Sequence, residues 1–130
     1  MRIFKNCWFT RFADKEGITD DELKEAVNLL KAGLADANLG GDVYKVRIPR
    51  PGEGKRGGYR VIVFFRNEER TFFVYAFAKA KRRNIDEKEL RFYKKRAKIV
   101  FKLTDEEIRG HLGKRTWIEV LWEAGHEKIL

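Results

Sequence analysis

The sequence predicts an α+β fold: an N-terminal helical hairpin packed on a small antiparallel sheet, then a C-terminal helix and a short extension. Three observations carry this. Residues 57–65 and 71–79 are rich in β-branched and aromatic side chains and flank the polar turn Arg66-Asn67-Glu68-Glu69-Arg70, the pattern of an antiparallel hairpin. Thr19-Asp20-Asp21-Glu22 forms a capping box ahead of Leu23, Ala26, Val27 and Leu30, which share one helical face. Leu90, Tyr93, Ala97, Val100 and Phe101 make a second apolar stripe at helical spacing, capped by Asn84 or Asp86.

In chain order, Arg2-Ile3-Phe4-Lys5 suits a short edge strand. Trp8-Phe9-Thr10-Arg11-Phe12-Ala13 spaces its aromatics for one or two helical turns, punctuated by Gly17. The capped helix follows, with Gly33 as its stop. Residues 35–42 form a polar connection. Residues 43–48 then alternate with period two, so Val43, Lys45 and Arg47 share one face of a strand and Tyr44, Val46 and Ile48 the other. The stretch 49–58, with two prolines and four glycines, reads as a mobile basic loop. It is no phosphate-binding P-loop, because Pro49 stands where the first glycine belongs and Arg56 where a Ser or Thr is needed. Both hairpin strands are apolar on both faces, which places them centrally under at least one helical layer. On the stripe helix Arg91, Lys94, Lys95 and Lys98 make a solvated cationic face. Thr104-Asp105-Glu106-Glu107 caps a short helix ending at Gly113, and residues 117–122 form either a last strand or a segment docked by its tryptophans.

A chain of 130 residues fits one domain spanning 1–130, with 103–130 as its C-terminal extension. Its 43% hydrophobic and 13% aromatic content sets it apart from a disordered polyelectrolyte. The net charge is +9, concentrated between Asp42 and Arg83, where 12 Lys/Arg face 4 Asp/Glu. Such clustering points to a polyanionic partner. The lone Cys7 excludes an internal disulfide and is expected to be a buried, inert thiol. With no membrane-length apolar run and no signal-peptide core, a cytoplasmic location is expected.

The sequence contains no serine, which removes serine nucleophiles. Cys7, His111 and His126 lack ligand spacing, so neither metal nor cofactor is expected. What remains is a set of strand cations. Lys45 and Arg47 share a face, Arg60 interrupts an apolar strand, and Lys79 closes the next. If the strands pair in sequence order, all four converge on one surface bordered by Lys55, Arg56, Lys81, Arg82 and Arg83. Fixed guanidinium groups there suit a phosphate in five-coordinate geometry, and a ribose 2′-OH supplies an internal nucleophile. The plainer readings are solvated edge-strand charges for Lys45 and Arg47 and a structural salt bridge for Arg60. Tyr59 and Tyr75 either stack on bases or pack in the core.

The successive segments Val43-Tyr44-Lys45-Val46-Arg47, Gly58-Tyr59-Arg60-Val61-Ile62-Val63 and Phe73-Val74-Tyr75-Ala76-Phe77-Ala78-Lys79 resemble the strands of the RelE/ParE superfamily of type II toxin–antitoxin toxins. The Trp8-Phe9 opening, the glycine-rich Gly54–Arg60 segment, Asn84-Ile85 and the C-terminal segments at 103–108 and 117–120 are most similar to its RelE/HigB-like branch. The resemblance implies a RelE-like fold, a cognate antitoxin covering the basic face, and a monomer or a toxin–antitoxin hetero-oligomer. It also implies a metal-independent endoribonuclease (an mRNA interferase) that inhibits translation by cleaving mRNA on the ribosome, through 2′-OH attack. Carried over, Arg60 matches the transition-state arginine, Lys45 and Arg47 the paired residues for proton transfer and phosphate contact, and Lys79 a basic position at the strand end. Lys55, Arg56, Tyr59, Lys81, Arg82 and Arg83 would bind RNA around them. The chain departs from the branch at Ala80-Lys81-Arg82-Arg83, which is purely basic, and no tyrosine or histidine matches the C-terminal catalytic residue of the family. Two other functions stand beside this one: the ParE side of the resemblance implies a gyrase-directed toxin, and the basic face alone suits a non-catalytic RNA-binding module.

Overall fold

A computed structural model describes residues 1–50 and 54–121, and the side chains of all of these except 54–56. The chain opens with β1 (Arg2–Asn6), α1 (Cys7–Glu16), α2 (Asp20–Lys31) and β2 (Ala37–Gly40). The strands β3 (Val43–Arg50), β4 (Gly54–Arg66) and β5 (Arg70–Ala78) follow, then α3 (Glu87–Phe101), α4 (Asp105–Gly113) and β6 (Trp117–Val120). The six strands form one sheet in the order β2-β3-β4-β5-β1-β6. Every pairing is antiparallel except β1 with β5. The α+β fold expected from the sequence is the fold found.

Local signals set the helix boundaries. Asn6 ends β1 and starts α1 with one side chain, its carbonyl accepting from the Phe9 amide at 2.7 Å while its Nδ2 donates to the Val74 carbonyl at 3.0 Å. Capping boxes open α2 at Thr19, α3 at Asp86 and α4 at Thr104, each cap stabilising its helix by about 1 kcal/mol. Gly33, in the left-handed region at φ 74°, follows the end of α2.

Alternation in the strands explains the layers. Ile3, Val46, Ile48, Tyr59, Val61, Val63 and Phe73 bury one sheet face against Phe9, Leu23, Val27 and Leu30 of α1 and α2. Phe4, Val43, Ile62, Phe64 and Phe72 bury the opposite face against Ala97, Val100, Phe101 and Ile108 of α3 and α4. Strands apolar on both faces thus have a helical layer on each.

Several expectations are corrected. Residues 2–5 do not lie at an edge: β1 sits between β5 and β6, where both its ladders are satisfied. The segment 49–58 is not all loop, since β3 continues to Arg50 and β4 begins at Gly54; any mobility of residues 51–53 lies outside the described residues. Cys7 is exposed, because the first turn of α1 points it away from the sheet. Lys94 is half-buried, its stem lying over the turn at Gly41. The terminal segment is a strand, and no helix among the described residues is long and apolar enough to cross a membrane.

Candidate active site

The register of β3 and β4 builds the site. Arg47 lies directly opposite Arg60, and Lys45 opposite Ile62, so Lys45, Arg47 and Arg60 share the sheet face away from α1 and α2. Phe77 of β5 continues the Arg47–Arg60 rung and Tyr75 lies one rung further along. Like charges opposite each other across a ladder repel, so this rung is favoured by an anion nearby. The core on this face takes in Val43, Ile62, Phe64 and Phe72 and stops short of the rung.

The anion the protein itself supplies is Asp36, just before β2. Its Oδ1 lies 2.8 Å from Arg47 Nε and its Oδ2 lies 3.9 Å from Lys45 Nζ. The Arg47 contact lacks hydrogen-bonding alignment, leaving that Nε without a bond. The sequence reading missed Asp36, since a carboxylate in an irregular connection carries no periodic signal; only β2–β3 pairing brings it beside both cations.

Arg60 has no hydrogen bond or ion pair among the described residues. It is 4% exposed, and its Nη1 is buried without a partner. Burial pushes its pKa below the ordinary arginine value, the neighbouring charge of Arg47 lowers it further, and Asp36 opposes both. A buried, unpartnered donor costs about 1–3 kcal/mol, and more when it is charged. An incoming phosphate would supply the missing acceptors.

The remaining basic residues divide. Lys79 is exposed in the turn after β5, its backbone N–H donating to the Gly58 carbonyl at 3.4 Å, so it flanks the rung without joining it. Lys81 and Arg83 are exposed, and the side chains of Lys55 and Arg56 lie outside the described residues. Two expected RNA-binding residues are placed otherwise. Tyr59 is buried on the opposite face, where its hydroxyl donates to Glu16 at 2.6 Å, because strand alternation turns it from Arg60. Arg82 is a clamp: Nε donates to the Asn84 carbonyl at 2.8 Å, Nη1 to the Tyr75 hydroxyl at 3.1 Å, and Nη2 to Glu89. It also lies 5.6 Å from the Phe77 ring centroid.

The clamp titrates. Arg82, and then the Asp86 backbone, hold the Glu89 carboxyl below its ordinary value. A depressed carboxylate contributes stability that is whole above its unfolded pKa and is lost as pH falls through its folded one. Amide protection in the turn at 79–86, taken relative to the intrinsic exchange rate at each pH, should therefore fall as pH drops below the usual carboxylate range. The Glu89→Gln variant should lack that dependence, and an unchanged pH profile in it would refute the clamp.

Among the described residues no three of His, Cys, Asp and Glu are grouped to hold a metal ion. The family model described as the RelE toxin of the RelE/RelB toxin–antitoxin system matches residues 1–120. With nearly the whole chain matched and a helix-covered α+β sheet beneath it, this protein belongs to the RelE toxin family and is a toxin of a toxin–antitoxin system.

Proposed function

We propose that this toxin is an endoribonuclease that cleaves mRNA in the ribosomal A site without a metal ion. The observation carrying the reading is the Arg47–Arg60 rung, two facing guanidinium groups of which one is buried without a partner. In the proposed reaction the ribose 2′-oxygen attacks the adjacent phosphorus, its proton passing to a water molecule beside Lys45. The bond to the 5′-oxygen breaks, and that oxygen takes a proton from water, leaving a 2′,3′-cyclic phosphate and a 5′-OH. Arg60 neutralises the charge gathering on the five-coordinate phosphorus, and Arg47 holds a non-bridging oxygen. Lys79, Lys81 and Arg83, with Lys55 and Arg56, contribute backbone-phosphate attraction that weakens with salt.

Primer extension on mRNA from cells expressing the chain tests this. Discrete new 5′ ends, bearing hydroxyl groups and dependent on Arg60, are expected; translation arrest with intact mRNA would overturn it. Asp36 acts as a positioning residue here. Asp36→Asn should lower single-turnover cleavage about tenfold while leaving RNA affinity within twofold, because it loosens Lys45 and Arg47 but removes no cation. Equal losses in affinity and rate would give Asp36 a merely structural role.

A further inference from the structure

A second concave feature lies on the same sheet face, displaced from the Arg47–Arg60 rung toward β1 and β6. It is a cavity of about 210 Å³ lined by Phe64, Phe72, Val74, Phe92, Tyr93 and Trp117. Its polar lining is Asn6, whose side chain is already spent on Phe9 and Val74, and Arg96. Burial pushes the Tyr93 phenol up to about 12, as an apolar wall requires. An apolar protein cavity of about 150 Å³ holds benzene, so this one has room for an aromatic side chain.

The surroundings specify what carries that side chain. Phe92 is 58% exposed, and Ile99, 51% exposed, lies seven residues on along α3, about 10 Å away on the same side. Around them Lys88, Lys95, Arg96, Lys98 and Lys102 have no ion-pair partner among the described residues. The two carboxylates of α3 are engaged, Glu87 with Arg91 and Glu89 with Arg82. Apolar residues at this spacing, fringed by unpaired cations, complement an amphipathic helix with acidic flanks. We propose that the RelB-type antitoxin docks an acidic amphipathic helix along α3 and inserts an aromatic anchor into the cavity between α3 and Trp117.

This inference rests on the chain being a RelE-family toxin; it does not depend on the nuclease reading. The test uses the full chain and its RelB-type antitoxin, with Phe92→Asp and Arg96→Glu as separate variants. Both side chains are exposed and stand apart from the rung, so fold and mRNA cleavage should match the parent. Antitoxin affinity should fall at least tenfold for each variant, and co-expressed antitoxin should no longer restore growth fully. Unchanged affinity in both would overturn the proposal. So would self-association of the parent chain in sedimentation that Phe92→Asp abolishes, since the cavity would then serve a second copy. A parent chain that binds antitoxin but cuts no mRNA would sink the nuclease reading alone.

Discussion

Replacing Arg60 by methionine should lower mRNA cleavage about 100- to 1000-fold while raising the stability of the fold by about 1–3 kcal/mol. The two effects share one cause. The guanidinium occupies an apolar strand at 4% exposure, carries an Nη1 without an acceptor, and faces Arg47 across the ladder. A flexible, uncharged thioether would relieve the desolvation and the repulsion together. It would also remove the charge available to a phosphate in transition. Thermal melting and primer extension on the same variant check both halves. A variant that melts lower, or that still cuts, would show Arg60 to be a structural residue.

The second large effect is expected at Gly58, which leads into Tyr59 and Arg60. A Cβ there would stand 2.2 Å from the Ile48 carbonyl oxygen and 3.0 Å from Pro49 Cα, both backbone atoms of β3. Backbone cannot swing aside as a side-chain tip can, so Gly58→Ala must push β3 and β4 apart. The β3–β4 register is already irregular between Ile48 and Arg50, so the strain would enter where the pairing is weakest. We expect a loss of about 2–4 kcal/mol. We also expect cleavage to fall further than the folded fraction does, because the Arg47–Arg60 rung opens with the strands. Denaturant unfolding alongside cleavage assays separates the two. Stability within 0.5 kcal/mol of the parent (roughly the spread of neutral surface changes) would contradict the close approach.

What the sequence disclosed was what short range determines. The Thr19 and Thr104 capping boxes, the hairpin turn at Arg66–Arg70 and the alternation along β3 depend on residues within four positions of each other, and all lie where expected. The shared face of Lys45 and Arg47 followed from the same period. Pairing between distant segments was not legible. Neither the interior place of β1 nor the approach of Asp36 to two cations can be read from neighbours in sequence. Tyr59 shows the limit from the other side: the motif that marks Arg60 includes it, yet the pleat sends adjacent side chains to opposite faces. Arg82 looked like part of a free basic run because its partner Glu89 sits one helical turn into the next element.

The position of β1 has a temporal consequence. Its ladders are made with residues 70–73 and 117–120, so β1 leaves the ribosome long before β6, its last partner, is made. Pairings of such sequence separation form late and slowly. A nascent copy would therefore spend its synthesis with β1 unfinished, which gives an antitoxin already in the cell an interval to meet the toxin before it is complete.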